Sequence, residues 1–206
     1  MARPREYDEA KVLAAAADVF WTKGYDGTST RDLSACTGLT ASSIYAAFGD
    51  KRELFHRALD YYLTTTLRAR IEHLDETATP LTAIREFFAD VVERSVGDAQ
   101  LRGCMLINSA LEASTDDTKV RDAIASELST IEAFFERHLA SAQRAGDIAA
   151  DVSPTRSSRH LMTLLLGVRV LARVRADREL LTDAVHAGLA SVGIPLSTTS
   201  KRTAAR

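Results

Sequence analysis

The segment of residues 28–55, TSTRDLSACTGLTASSIYAAFGDKRELF, constrains the fold more than any other part of the chain. Ser29 and Asp32 stand three positions apart, as in a capping box, and predict the start of a short helix. Gly38 predicts its end, because glycine readily takes the left-handed conformation that closes a helix. Thr40 is a favourable N-cap for the next helix. Two short helices around a glycine turn are the layout of a helix-turn-helix.

The second of these helices has a surface that is unusual for a helix facing water. Ile44 and Phe48, four residues apart, predict its buried side. The remaining side carries small residues, hydroxyl groups and one aromatic ring, with no acid. A helix that enters the DNA major groove needs short donors and few carboxylates, because phosphates repel acids. We therefore predict DNA contacts from Thr40, Ser42, Ser43 and Tyr45.

A third helix is predicted to begin after Asp50, with Lys51 and Arg52 in its first turn. Cations at a helix N-terminus oppose the macrodipole, and a bound phosphate would offset that cost. Lys51 is therefore predicted to contact a DNA phosphate. The same argument extends to the preceding helix start, at Thr28 and Ser29. Arg31 is either a further DNA contact or a solvated surface charge.

These residues resemble the DNA-binding region of the TetR/AcrR family of one-component bacterial repressors. The order and spacing of the family pattern are intact at Phe20, Gly24-Tyr25, Thr28-Ser29, Arg31-Asp32-Leu33, Gly38-Leu39-Thr40, Ile44-Tyr45-x-x-Phe48 and Lys51-x-x-Leu54. Ser34 and Ala46-Ala47 depart from the commoner family residues, which bears on base preference. The resemblance implies an all-α protein of about nine helices. Its N-terminal three-helix helix-turn-helix domain would be joined by a long fourth helix to a C-terminal helical ligand-binding and dimerisation domain.

Composition agrees with a helical, globular chain. Of 206 residues, 46% are hydrophobic and only 10 are Gly and 4 Pro, which favours helices over a β-rich or disordered chain. No apolar run reaches the roughly 18 residues that a membrane span needs. The first residues lack the apolar core of a signal peptide, so we expect a cytoplasmic location. Cys36 and Cys104 are far apart and indicate no disulfide framework.

The charge of the chain is close to neutral, at −2. Acidic residues slightly outnumber basic ones even within residues 1–60. A protein that binds nucleic acid unselectively would be strongly basic. DNA binding is therefore expected to rest on a few placed cations and to weaken steeply with salt.

The apolar periodicity and the helix-stop residues divide the chain into further helices. Helices are predicted over residues 7–23, 50–74, 80–97, 101–114, 117–145, from Pro154 onward, and 177–192. A short basic arm, Arg3–Pro4–Arg5, precedes them. We predict a DNA-binding domain at 1–52, an effector and dimerisation domain at 53–196, and a flexible tail at 197–206.

The last two helices carry more apolar surface than one small domain would bury. Self-association is the economical explanation, and the resemblance implies pairing with the same helices of a second copy. The predicted interface residues are Leu161, Leu164, Val168, Leu171, Leu181, Val185 and Leu189. A two-fold dimer would present two recognition helices about one DNA turn (~34 Å) apart to a palindromic operator.

The resemblance also implies a cavity for a small effector among the fourth to eighth helices. We expect an apolar or aromatic effector. The candidate lining residues are Tyr62, Phe88, Met105, Asn108, Phe134 and Leu165. Ordinary core packing is the alternative for each. Asn108 in an apolar helix needs a hydrogen-bond partner if it is buried, and a ligand is one option.

Cys104 lies in the sequence Arg-Gly-Cys-Met-Leu, near a predicted helix start and close to Arg102. Both features are typical of reactive thiols, and the motif resembles family members that sense electrophiles or oxidants through such a cysteine. The alternative is a small buried hydrophobic residue.

Enzymatic chemistry has little support in the sequence. The five histidines (His56, His73, His138, His160 and His186) are scattered, and no phosphate-binding glycine loop or nucleophile motif occurs. We predict no catalytic site, metal or cofactor. The leading prediction is a homodimeric repressor released from its operator when an effector tilts the fourth helix. The alternatives are a helical ligand-sequestering protein without sequence-specific DNA binding, or a thiol-sensing repressor acting through Cys104.

Overall fold

A computed structural model of the chain describes residues 7–113 and 117–195, and every regular element within these ranges is a helix. The helices are α1 (Glu9–Gly27), α2 (Thr30–Thr37), α3 (Ala41–Phe48), α4, α5 (Pro80–Gly97), α6 (Met105–Glu112), α7 (Thr118–Ala145), α8 (Pro154–Val174) and α9 (Arg178–Ser191). Helix α4 runs through three consecutive pieces, Lys51–Leu63, a π-helical turn Thr64–Arg68, and Ala69–Thr77. The predicted all-α class with about nine helices is confirmed within the described ranges.

The predicted caps of the helix-turn-helix are present. Ser29 Oγ accepts the Asp32 backbone N–H at 3.1 Å, and the Asp32 carboxylate accepts the Ser29 N–H at 2.9 Å. Gly38, at φ 71°, closes α2 in the left-handed conformation. Thr40 Oγ1 then accepts the Ser43 N–H at 3.2 Å and starts α3. Local sequence therefore determines where both short helices begin and end.

The first four helices share one apolar core. Leu33 of α2, Ile44 of α3 and Leu54 of α4 are each no more than 1% exposed. The rings of Phe20 and Phe55 meet edge to face at 5.1 Å and join α1 to α4. This core holds α3 against α4 and leaves the opposite side of α3 outside.

Helix α4 is longer than predicted, ending at Thr77 rather than at residue 74, and it contains a π-helical turn that the periodicity does not reveal. In that turn Thr66 Oγ1 donates to the Tyr62 carbonyl at 2.6 Å. Arg68 forms an ion pair with the buried Glu127 of α7, which raises the Arg68 pKa further above its usual range. The irregular turn is thus anchored to the C-terminal helices.

Helices α5 to α9 pack around an aromatic cluster. Phe87, Phe88, Phe134 and Phe135 join α5 to α7, with ring centroids 5.2–5.8 Å apart. Helix α8 lies against α7, and α9 packs against α5 and α8. This cluster forms the centre of the C-terminal core.

Two segments depart from the predicted boundaries. Helix α6 covers Met105–Glu112, not 101–114, because Leu101 (φ 53°) and Gly103 (φ 73°) are left-handed and keep the preceding loop out of the helix. Helix α1 reaches Gly27 only across a kink at Gly24, where the predicted stop falls. The predicted basic arm at 3–5 and tail at 197–206 lie outside the described residues.

Candidate DNA-binding surface and ligand cavity

The outer side of α3 is the most distinctive polar surface of the N-terminal helices. Ser42, Ser43 and Tyr45 are exposed, while Ile44 and Phe48 on the other side are buried. The Thr40 hydroxyl lies 3.0 Å from Ser42 Oγ and 2.9 Å from Ser43 Oγ. Four short or aromatic side chains with hydroxyl groups therefore share one exposed helix face.

Tyr45 is the one large aromatic side chain on this face, with 42% of its surface exposed. Its hydroxyl lies 2.8 Å from the Thr30 hydroxyl, within hydrogen-bond distance, at the start of α2. The contact orients the ring between the two short helices. Tyr45 is thereby held in place before any partner arrives.

Thr28 differs from the other predicted DNA contacts. Its side chain is only 1% exposed, and its hydroxyl donates to the Gly24 carbonyl at 2.6 Å. The side chain closes the end of α1 and lies below the surface. The prediction that Thr28 contacts DNA is therefore replaced by a structural role in the turn between α1 and α2.

The predicted cations occupy different settings. The Lys51 ammonium lies 4.5 Å from the centre of the Tyr25 ring, a cation–π contact that positions it beside the start of α4. Arg31 is exposed and has no ion-pair partner among the described residues. Arg52 lies 3.2 Å from Asp117 at the start of α7, so this charge is partly neutralised within the chain.

The capping carboxylate at the start of α2 is neutralised as well. Lys23 Nζ donates to Asp32 at 2.5 Å, and the Ser29 hydroxyl donates to the same carboxylate at 2.7 Å. These bonds hold the pKa of Asp32 well below its usual range. Asp32 is thus already paired, which reduces its repulsion of a phosphate.

A separate cavity lies between α4, α5, α6, α7 and α8. Its volume is about 80 Å³, and its walls are mostly apolar. Of the predicted effector contacts, Tyr62 and Leu165 line it. Thr66 of the π-helical turn lies on the same wall. Burial, followed by the neighbouring Cys104, raises the pKa of the Tyr62 phenol well above its usual range.

Four predicted effector contacts do not line this cavity. Phe88 and Phe134 are fully buried in the aromatic cluster, and Met105 is 2% exposed in the core. Asn108 donates its side-chain N–H to the Arg102 carbonyl at 2.7 Å, so its hydrogen-bond requirement is met within the chain. The positions of these four residues agree with the alternative of ordinary core packing.

Arg169 of α8 is a cavity residue that the sequence analysis missed. It is 9% exposed, donates to Ser95 Oγ at 2.9 Å and donates to the Gly103 carbonyl at 2.9 Å. The signal was present, because an arginine in the apolar stretch LMTLLLGVRVLA is unlike its neighbours. Arg70 and Arg94 also line the cavity.

Cys104 is the N-cap residue of α6 and also lines the cavity. It is half-buried and makes no disulfide. The other cysteine, Cys36, lies in α2, where burial raises the pKa of its thiol. The two cysteines therefore have separate settings, and Cys104 is the one beside a cavity.

The loop of residues 98–104 connects the cavity to α1. Arg102 in this loop donates to Asp18 of α1 at 2.6 Å, and its guanidinium lies 4.0 Å from the centre of the Trp21 ring. At the far end of α6, the Glu112 carboxylate accepts the Tyr25 N–H at 3.0 Å. The C-terminal helices thus contact α1 on both sides of α6.

The predicted dimer residues are mostly internal. Leu161, Val168, Leu181, Val185 and Leu189 are each at most 5% exposed, covered by the chain's own helices, so they are not free to meet a second copy. Leu164 and Leu171 are half-buried. Helix α8 leaves Thr163, Gly167, Val170 and Val174 exposed at helical spacing on one face, and its other exposed residues are Arg156, Arg159, His160 and Arg173.

Within residues 7–113 and 117–195, no three His, Cys, Asp or Glu side chains are grouped so that they could hold a metal ion. In the same part of the chain, no helix combines the length and the apolar character of a membrane span.

Comparisons with known proteins agree with this geometry. A family model described as bacterial regulatory proteins, tetR family, matches residues 12–58. A second model, described as tetracyclin repressor-like, C-terminal domain, matches residues 80–187. The two matches cover the helix-turn-helix and most of helices α5 to α9.

Individual proteins resemble the chain over nearly its full length. YezE, an uncharacterised HTH-type transcriptional regulator of Bacillus subtilis, is 32% identical over 92% of this chain and 98% of its own. ComR, an HTH-type transcriptional repressor of Escherichia coli, is 27% identical over 86% of this chain and 85% of its own. The structure of a CifR cysteine mutant, a TetR-family regulator complexed with 26-bp operator DNA, has a TM-score of 0.82 and 32% identity. It covers 93% of this chain and 100% of its own.

Proposed function

This chain belongs to the TetR family of bacterial transcriptional regulators, and from that premise we propose that it is a homodimeric repressor released from a palindromic operator by a small molecule. It acts as a regulator without catalytic activity, in the cytoplasm. Residues 1–52 form its DNA-binding part, residues 53–196 its effector and dimerisation part, and residues 197–206 a tail.

The observation that carries the proposal is the exposed face of α3. Ser42, Ser43 and Tyr45 stand out from a helix whose other side is buried in the core of α1, α2 and α4. Short donors and one ring suit entry into the major groove. The CifR mutant of similar fold was determined with operator DNA, which supports the same use of α3 here.

Backbone contacts are assigned to the residues around this face. Thr40 and Ser29 lie at the starts of α3 and α2, where free N–H groups attract phosphate. Arg31 and Lys51 supply positive charge on either side. With so few cations, the affinity for DNA depends on exact placement more than on overall charge.

The exposed side of α8 is proposed as the dimer surface. Gly167, Val170 and Val174 lie on one face, and a Cβ added at Gly167 would meet no other atom within 4 Å. A glycine in mid-helix costs about 1 kcal/mol of helix stability, and no contact within residues 7–113 and 117–195 requires it. Close approach of a second copy explains the residue.

The 98–104 loop and the π-helical turn are proposed to couple the cavity to DNA. The loop joins Arg169, through the Gly103 carbonyl, to Asp18 and Trp21, through Arg102. The π-helical turn places Thr66 on the cavity wall within the helix that continues into the DNA-binding part. A ligand that favours another arrangement of these segments would shift α1 and α4 together.

The test is an electrophoretic shift with DNA flanking the protein's own gene, at two salt concentrations. Tyr45→Ala and Ser42→Ala should each lower operator affinity, Tyr45→Ala by about 10- to 100-fold, equivalent to roughly 1–3 kcal/mol. Ser126→Ala, which removes an exposed hydroxyl from α7, is the matched control and should bind as the wild type does.

Two outcomes would count against this assignment. Absence of any shift at low salt with upstream fragments would favour the ligand-sequestering alternative. Conversion of Tyr45→Ala to a monomer, measured by light scattering, would show that the division between DNA-binding and dimer residues is wrong.

Thiol sensing through Cys104 is a second candidate, favoured by the position of this cysteine on the cavity wall. Operator binding is titrated with a thiol alkylator in the wild type and in Cys104→Ser, with Cys36→Ser as the matched control. Sensing predicts that the wild type and Cys36→Ser lose DNA while Cys104→Ser keeps it. Identical curves for all three proteins would eliminate the candidate.

A further inference from the structure

We propose that the cavity beside Arg169 binds a small organic anion, a monocarboxylate with a compact apolar body. The inference rests on the proposed function only in treating this cavity as the effector site. It narrows the expected apolar or aromatic effector to one that also carries a negative charge.

The first observation is the setting of the Arg169 guanidinium. It is more than nine-tenths buried, and its two hydrogen bonds within the described residues go to a hydroxyl and a backbone carbonyl, both neutral acceptors. A buried charge is costly unless an opposite charge accompanies it. Among residues 7–113 and 117–195, no carboxylate is paired with this side chain.

The second observation is the donor capacity left at the cavity. A guanidinium carries five N–H donors, and two of those of Arg169 are used within the chain. The Arg70 Nε is buried and has no acceptor in the described part of the chain, although the terminal nitrogen of Arg70 donates to the Glu86 carbonyl at 3.3 Å. Guanidinium groups with free donors favour carboxylates, which accept two parallel hydrogen bonds.

The charged residues of the cavity lining also favour an anionic ligand. Arg70, Arg94 and Arg169 line the cavity. Within residues 7–113 and 117–195, Asp90 is the one acidic residue of the lining. Asp90 is already paired with Arg94, at 2.8 Å. Glu86 lies 3.8 Å from Arg70 and is outside the lining. One positive charge, that of Arg169, therefore stays without an acidic partner.

The apolar lining and the volume of the cavity indicate the size and polarity of the rest of the ligand. Leu67, Phe87, Val91, Ile107, Ile131 and Leu165 supply apolar surface. The volume of about 80 Å³ is smaller than the roughly 150 Å³ cavity that accepts benzene. A short branched chain fits within it, and a single aromatic ring would need the walls to move outward.

The chain contains its own optical reporter for this site. Trp21 is the single tryptophan, and its ring lies 5.3 Å from the ring of Tyr62 on the cavity wall. Fluorescence of Trp21 is therefore titrated in the absence of DNA with isobutyrate and benzoate, and with their neutral counterparts isobutyramide and benzamide. We expect at least one carboxylate to bind at least about tenfold more tightly than its amide, equivalent to roughly 1.4 kcal/mol.

Substitutions test whether the preference for carboxylate over amide depends on the Arg169 guanidinium. Arg169→Met keeps the length of the side chain and should abolish the preference for carboxylate, whereas Arg169→Lys should retain part of it. Arg159→Met, which removes an exposed arginine from the same helix, should leave the preference unchanged. If Arg169→Met does not fold, as judged by circular dichroism, Arg70→Met provides the second test and should weaken carboxylate binding severalfold.

The proposal is overturned if neither carboxylate binds, if each amide binds as tightly as its acid, or if folded Arg169→Met, or Arg70→Met where it takes its place, keeps the full preference. Because no DNA is present, these results concern the ligand class alone. A carboxylate that binds with the expected preference but does not release the operator would support the site and contradict the proposed effector coupling.

Discussion

At the residue scale, one carboxylate shows how a sequence motif acquires its strength from tertiary contacts. Asp32 belongs to the capping box of α2, which is a local device. It is also bonded to Lys23 of α1. These bonds stabilise the ionised form and lower the Asp32 pKa below its ordinary value of 3.8. The cap therefore also fastens α2 to α1.

The depressed pKa predicts an acid-dependent loss of stability. Ionised Asp32 contributes its full stabilisation above its unfolded pKa, and the contribution falls as pH drops from about 4 toward the lower folded value. Asp32→Asn should lower the melting temperature at pH 7 by a few degrees, and the difference from the wild type should shrink as pH falls below 4. Melting is followed by circular dichroism, with Asp147→Asn, an exposed acid after α7, as control. A difference that does not change with pH would contradict the assignment.

At the element scale, the crossing of α8 and α9 depends on a missing side chain. A Cβ at Gly188 of α9 would lie 2.3 Å from a methyl carbon of Leu164 on α8. A side chain at position 188 would therefore require Leu164 to move from its present position.

Gly188→Ala should destabilise the protein by about 1 kcal/mol, because Leu164 must move and the helix-favouring effect of alanine offsets only part of the overpacking cost. The same substitution in a Leu164→Ala background should cost much less, because the clashing methyl group is gone. Gly97→Ala, where an added Cβ meets nothing, is the control and should be neutral or slightly stabilising. The measurement is urea unfolding, and equal costs in both backgrounds would refute the packing explanation.

At the scale of the whole molecule, one face of α8 presents two apolar side chains that the described helices leave uncovered. Val170 is 46% exposed and Val174 is 80% exposed, one helical turn apart. Both side chains project away from the core formed by Leu161, Leu165 and Val168. Pairing of two such faces would bury apolar surface and set the distance between the two α3 helices.

The double variant Val170→Glu/Val174→Glu should convert the dimer to a monomer without loss of helix, because it places like charges across the two-fold contact. Operator affinity should fall by at least about tenfold, since two half-sites are no longer bound together. Leu111→Glu, which alters an apolar residue 71% exposed on α6, is the control. The readouts are light scattering and circular dichroism. A double variant that stays dimeric would exclude this face.

The sequence by itself determined the features that depend on neighbouring residues. The capping box at Ser29 and Asp32, the glycine stop at Gly38, the N-cap at Thr40 and the buried side of α3 all follow from contacts within a few positions. For the same reason most helix boundaries differ from the predicted ones by only a few residues. The fold class followed too, because the order of motifs from Phe20 to Leu54 is specific.

Only the tertiary structure decided which faces are covered. In the structure Thr28 is internal, Arg169 lines a cavity, and five of the predicted interface leucines and valines lie in the core. Each of these positions depends on how distant helices cross. Apolar periodicity shows that a helix has a buried side but not what buries it. The assignment of α8 therefore required its packing against α7 and α9, which leaves Val170 and Val174 outside and turns Arg169 inward.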